Sequence, residues 1–228
     1  MAAVTGGAST YSRQPGRRTY LNPGIRVVRA EGCYEHLSDG RKIISYPMGL
    51  HGAVLGYTYP RVTNAVRFAA SCGEVASYPS ERQEVVAGLI GEIFPEIEQV
   101  RFAKTGSDVC MAAVRLARAV TGRDLILSYG YHGTATDFII PPDNRGIPQA
   151  IQDLRTEFRW ENKENLIRAA RDAACVIVEV PPVDHKENTI EFLNGCRDLA
   201  HKNGALFILD EVVTGFRLSL RGATGYYG

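Results

Sequence analysis

Ala205-Leu206-Phe207-Ile208-Leu209-Asp210-Glu211-Val212-Val213-Thr214-Gly215-Phe216-Arg217 sets five apolar residues directly before a pair of carboxylates. An unbroken apolar run of this length is what a strand covered on both faces requires. Cys175-Val176-Ile177-Val178 is a second such run. From residue 100 the pattern alternates: helix 108–121, strand 125–129, helix 163–173, strand 175–180, helix 189–203, strand 205–210. This alternation predicts an α/β fold with a mostly parallel sheet and helices on both faces. Ligands in such folds bind beyond the carboxyl ends of the strands, where Asp210 and Glu211 stand.

Towards the N-terminus, Ile25–Arg29 and Lys42–Tyr46 read as strands around Ser38-Asp39-Gly40, whose Asp-Gly pair favours a tight hairpin. After the glycine-rich passage 49–56, helices are predicted over 60–71 and 81–94, each with a proline at or just before its first turn. Met1 to Gly16, rich in Ala, Gly, Ser and Thr, reads as a mobile tail.

The 228 residues are 45% apolar and 22% charged, the composition of a globular protein. Twenty-six basic against 25 acidic residues give a net charge of +1, so no broad positive field serves nucleic acid or a membrane surface. A small-molecule function follows. The five cysteines (Cys33, Cys72, Cys110, Cys175, Cys196) are scattered, without a C-x-x-C pair, and are expected reduced and mostly buried in a cytoplasmic protein. Residues 1–19 lack a signal-peptide core, and no apolar run approaches the roughly 20 residues that span a bilayer.

Three segments carry candidate chemistry. Lys104-Thr105-Gly106-Ser107-Asp108 precedes a helix whose apolar face is read as Val109, Ala112, Ala113, Leu116 and Val120. Its start offers free amides, the close backbone approach of Gly106 and the hydroxyl of Ser107 to a phosphate; Gly-Ser-Asp also suits an ordinary helix cap. Tyr129-Gly130-Tyr131-His132-Gly133 follows a strand, where an aromatic ring can stack on a planar cofactor or pack in a turn. His132 either braces the loop or moves protons. A carboxylate at Asp210 can pair with the protonated ring nitrogen of pyridoxal 5′-phosphate (PLP). Glu211 points the other way along a strand and is expected to form a structural salt bridge. Metal ligation by the acidic pair lacks a supporting His or Asp cluster. A dinucleotide site would need a G-x-G-x-x-G turn after a first strand, and there is none.

Other stretches join these in a fixed order: Gly32-Cys33-Tyr34, Leu55-Gly56-Tyr57 with Pro60 and Val62, Arg115-Leu116-Ala117-Arg118 with Thr121-Gly122-Arg123-Asp124, and Gly222-Ala223 with Gly225-Tyr226-Tyr227-Gly228. The ordered set, from about residue 20 onward, resembles the class III aminotransferases, in pattern most similar to the glutamate-1-semialdehyde 2,1-aminomutase-like members. The resemblance implies PLP fold type I, the aspartate-aminotransferase-like fold. It divides the chain into a flexible tail (1–19), an N-terminal segment serving the small domain and dimer surface (20–72), and an incomplete PLP-binding large domain (73–228). It also implies that Gly106 and Ser107 hold the cofactor phosphate, Tyr131 stacks on the ring with His132 beside it, Asp210 pairs with the ring nitrogen, and Val212 packs on the other ring face. Glu179 corresponds to the glutamate that ends the preceding strand.

The sequence departs from the family pattern at two places. Glu179 is followed by Val180-Pro181-Pro182 where the family has Pro-Val, and the Gly-Asn that usually follows is missing. The family's Schiff-base lysine lies one βα unit beyond the aspartate, whereas the lysines here are Lys42, Lys104, Lys163, Lys186 and Lys202. The expectation is therefore an N-terminal part, truncated before the C-terminal domain. The strand ending at Asp210 would then lack a parallel neighbour, and no residue of this chain would form the aldimine. Under the enzyme reading the whole protein is a PLP-dependent aminotransferase or aminomutase working by a ping-pong mechanism on a small amino donor and acceptor. It would act as a homodimer or with a complementing C-terminal half. The alternative is a non-catalytic remnant that binds PLP or oligomerises.

Overall fold

A computed structural model describes residues 24–73, 77–135, 138, 146–159, 167, 169–181 and 186–228. The chain divides into two compact units, Met1–Tyr78 and Pro79–Gly228.

The first unit carries a three-stranded antiparallel sheet, β1 (Val27–Glu31), β2 (Tyr34–Leu37) and β3 (Lys42–Ile44), followed by helix α1 (Pro60–Ser71). The expected hairpin around Gly40 exists, but it joins β2 to β3, with Tyr34 opposite Ile44 and His36 opposite Lys42. The chain reverses before it at Gly32 (φ 54°), so the segment expected as a link to the first strand is itself a strand. Its polar centre hid it: Glu35 turns inward and accepts hydrogen bonds from Ser45 Oγ (2.8 Å) and Tyr57 OH (2.7 Å).

The second unit contains α2 (Glu81–Ile93), α3 (Gly106–Thr121), β4 (Leu125–Tyr129), α4 (Gln149–Gln152), β5 (Arg155–Glu157), β6 (Ala173–Glu179), α5 (Lys186–Lys202), β7 (Leu206–Asp210) and α6 (Gly222–Tyr227). Its four strands run parallel in the order β5-β4-β6-β7. β6 is the centre. Its residues Ala173 to Val178 are fully buried, and the strand alternation sends them to two cores. Cys175 and Ile177 pack with Cys110, Val114 and Ala117 of α3. Val176 and Val178 pack with Phe192, Leu193, Cys196 and Ala200 of α5. At about 1.5–3 kcal/mol for each large apolar side chain buried, this strand anchors the unit. The helices thus cover both faces, and the fold is α/β as the alternation predicted.

Three expectations need adjustment. Helix α3 begins at Gly106, and it buries Cys110, Val114 and Ala117 rather than the stripe through Val109, Leu116 and Val120, which is exposed. Both stripes are apolar; the one with the smaller side chains lets the helix approach the sheet. Strand β5, Arg-Thr-Glu, has no apolar run to signal it and pairs through its backbone with β4. Of the helix expected over 163–173, residues 163–166 and 168 lie outside the described residues; 167, 169 and 170 are helical, and β6 already begins at Ala173. β7 is an edge strand of the described sheet, and Leu206 to Leu209 are only partly buried.

Candidate functional site

The carboxyl ends of β4, β6 and β7 converge on one rim, with Glu179 in register with Asp210 and Tyr129 beside Val178. Asp210 continues the alternation of Leu206 and Ile208 and so faces the α3 side of the sheet. It is buried, 7% exposed, and holds three donors. Oδ2 accepts from His132 Nδ1 at 2.7 Å and from Cys110 Sγ at 3.4 Å, while Oδ1 accepts from the Val212 amide at 2.9 Å. Burial alone would raise the Asp210 pKa; the His132 and Val212 hydrogen bonds, with the Cys110 thiol, outweigh it and hold the carboxyl below its ordinary range. Asp210 is therefore an ionised acceptor, which makes His132 Nδ1 the donor. The opposite ring nitrogen of His132, Nε2, is buried and has no hydrogen-bond partner among the described residues, and the ring stands edge-on to Phe138.

Sγ of Cys110, His132 Nδ1 and Asp210 Oδ2 lie within 4.8 Å of one another, a set that could suggest a metal. The geometry is that of hydrogen bonds. The 2.7 Å between Nδ1 and Oδ2 is shorter than the roughly 3.3 Å edge of a tetrahedron built from zinc bonds of 2.0–2.1 Å. Burial, reinforced by the Asp210 charge, also pushes the Cys110 thiol up to about 12, away from the thiolate a metal needs.

The start of α3 lies beside this trio. Thr105 is the N-cap, and the capping box is complete: Asp108 N donates to Thr105 Oγ1 (3.2 Å) and Thr105 N donates to Asp108 Oδ2 (3.0 Å). Asp108 thus serves the cap residue and not the next two amides. Among the described residues Gly106 N and Ser107 N have no acceptor, so both donors remain available to an anion at the end of a 16-residue helix. The cap and the anion site, read from the sequence as alternatives, coexist.

Two glycines set the spacing. A Cβ on Gly106 would stand 3.1 Å from both methyls of Val212. A Cβ on Gly133 (φ 105°) would overlap Ser107 Oγ and stand 2.8 Å from Ser107 Cα and Cβ. Without side chains at these positions the α3 start touches both Val212 and the 130–134 loop, and Thr134 N donates to Ser107 Oγ at 3.1 Å. On the other side of that loop Glu179 Oε2 accepts the Tyr131 amide at 2.8 Å. The Tyr131 ring and Val212 are left half exposed, at 57% and 52%. All seven residues singled out in the sequence, Gly106, Ser107, Tyr131, His132, Glu179, Asp210 and Val212, belong to this one neighbourhood.

Glu211 departs from the expected salt bridge. Among the described residues no cation pairs with it. Its carboxylate instead accepts from Ala223 N (2.6 Å), Thr224 N (3.0 Å), Thr224 Oγ1 (2.8 Å) and Thr214 Oγ1 (3.0 Å), tying the chain after β7 to the start of α6. Sequence reading also missed Cys110 as a partner of Asp210, since the two lie 100 positions apart and nothing local marks the cysteine. The residues fit a planar, anionic, nitrogen-heterocyclic ligand: an anion site at a helix start, an exposed ring for stacking, and a buried ionised acceptor.

The profile of the family described as Aminotransferase class-III matches residues 16–139. The glutamate-1-semialdehyde 2,1-aminomutase of Desulfotalea psychrophila is 34% identical over 226 residues, covering 89% of this chain and 51% of that protein. Its counterpart in Chloroflexus aurantiacus is 34% identical over 218 residues, covering 88% of this chain and 49% of that protein. The chain spans about half the length of the curated relatives it matches. Among solved structures, a transaminase with PLP bound has a TM-score of 0.81 at 24% identity, covering 92% of this chain and 53% of the other. That likeness assigns the fold, PLP fold type I. Among the described residues no helix is long and apolar enough to cross a membrane.

Proposed function

The chain belongs to the class III aminotransferase family, and from this premise we propose that its second unit binds PLP non-covalently, in the service of a transamination or aminomutation. The substrate class is a small amino, keto or semialdehyde compound processed in ping-pong fashion, and the macromolecular partner is a second copy or a complementing C-terminal half. The buried, ionised Asp210 carries this reading. When bound, the cofactor supplies an aldehyde that condenses with amines and a pyridinium ring that takes up an electron pair.

The chain's own residues then have distinct tasks. Asp210 keeps a proton on the ring nitrogen, because a carboxylate held below its ordinary range favours a cationic partner. The Gly106 and Ser107 amides receive the phosphate. Tyr131 and Val212 offer apolar surfaces to the two ring faces, and Glu179 fixes the Tyr131 backbone. His132 keeps Asp210 in place from below. Lys104 precedes the phosphate amides, and the residues gathered here contribute binding and orientation.

The test is titration of the chain with PLP, followed by borohydride reduction and peptide mapping. Saturable binding that inorganic phosphate displaces is expected, with no stoichiometric phosphopyridoxyl adduct on any lysine. Asp210→Asn should weaken binding roughly 10- to 100-fold, since a hydrogen bond to a charged group contributes about 1.5–3 kcal/mol. Binding indifferent to both phosphate and Asp210→Asn would overturn the proposal.

A further inference from the structure

Three thiols are buried in this protein, those of Cys110, Cys175 and Cys196, and Cys110 is the one hydrogen-bonded to a carboxylate. A carboxylate offers about four lone-pair sites, two on each oxygen. On Asp210, Oδ2 receives both the His132 Nδ1–H and the Cys110 S–H, and is filled. Oδ1 receives the Val212 amide and, among the described residues, no second donor, which leaves it one acceptor site. Since Asp210 is only 7% exposed, bulk water does not level the difference between its two oxygens.

Resting on the function proposed above, we propose that Cys110 is a positioning residue: its thiol, with His132, saturates Oδ2 so that a pyridine ring nitrogen is received by Oδ1 alone. The thiol suits this role better than an ionising donor, because burial and the neighbouring carboxylate keep it protonated to about pH 12. It acts through Asp210 and touches no substrate. Its loss would leave Oδ2 with an open site, and the carboxylate could then swing between two ways of meeting the ring.

The experiment compares three forms of the full 228-residue chain: wild type, Cys110→Val, which fills the space without a donor, and Cys110→Ser, which restores one. Each is titrated with PLP, with 1-deaza-PLP, whose ring nitrogen is replaced by carbon, and with inorganic phosphate. Wild type should prefer PLP over the deaza analogue by tenfold or more. Cys110→Val should cut that preference three- to tenfold while leaving phosphate affinity unchanged, and Cys110→Ser should recover it. An undiminished preference in a folded Cys110→Val chain overturns the positioning role and leaves the function standing. Wild type that binds neither ring compound, or both equally, overturns the function and this inference with it.

A second readout needs no cofactor. In the free chain, Cys110→Val should move the His132 Nδ1–H proton resonance downfield, because Oδ2 then has one donor in place of two, and Cys110→Ser should move it back. An unmoved resonance in Cys110→Val would show that the thiol does not load Oδ2, and would overturn the inference.

Discussion

Gly133→Ala tests the closest approach in the site. The glycine has φ 105°, and an added Cβ would stand 2.8 Å from both Cα and Cβ of Ser107. Rotating the Ser107 side chain relieves its hydroxyl but leaves its backbone in the way, so the 130–134 loop and the start of α3 must separate by about half an ångström or more. The cost has three parts: about 1–2 kcal/mol for an L-residue at positive φ, about 1–3 for overpacking, and about 1 for the Thr134 to Ser107 hydrogen bond. Together they make about 3–6 kcal/mol. Gly122→Ala isolates the first part, since Gly122 is a left-handed helix cap (φ 67°) with nothing within 4 Å of its added Cβ. Urea denaturation of both variants should show Gly133→Ala more destabilised than Gly122→Ala by about 2–4 kcal/mol. Adding Ser107→Gly to Gly133→Ala should recover part of this, because the clash with the serine side chain disappears while that with its backbone stays. Equal destabilisation of the two single variants, within about 0.5 kcal/mol, would refute the close approach of loop and helix start.

Further outcomes follow from the same geometry. In native protein an aromatic disulfide reagent should label Cys33 and Cys72 quickly and leave Cys110, Cys175 and Cys196 until unfolding; five equally fast thiols would contradict their burial. Glu211→Ala removes an acceptor of four hydrogen bonds and should destabilise the chain by about 2–4 kcal/mol, measured by denaturant midpoint. Stability should also fall at both pH extremes. The folded Asp210 carboxyl titrates below its ordinary value of 3.8, so its contribution is present above about pH 4 and lost as pH drops through the folded value. The three buried thiols are raised to about 12, so their contribution is complete below the unfolded value near 8.5 and declines above it, by up to about 1.4 kcal/mol per pH unit for each. A denaturant midpoint that stays flat from pH 9 to 11 would contradict the thiol part.

What could be read from the sequence, and what could not, divides along a physical line. The apolar runs through Val176 and Phe207 announced the parallel sheet because burial on both faces leaves no other composition possible. The place of Asp210 on the rim was readable for the same reason, since a carboxylate directly after such a run stands at a strand's carboxyl end. Strand β5 was not readable, because its membership rests on backbone pairing with β4 and its Arg-Thr-Glu side chains carry no record of that. The burial of α3 was read onto the wrong stripe, since periodicity identifies an apolar face without saying which of two faces the sheet accepts. The sheet decided by size, admitting Cys110, Val114 and Ala117. That choice of stripe also creates the feature no local pattern could disclose. Had the Val109 stripe faced inward, Cys110 would have turned about 100° away from β7 and Asp210 would have lost a donor. The acceptor geometry of the site is therefore a consequence of helix packing, and substitutions that rotate α3 should disturb Asp210 even when they touch none of the residues around the rim.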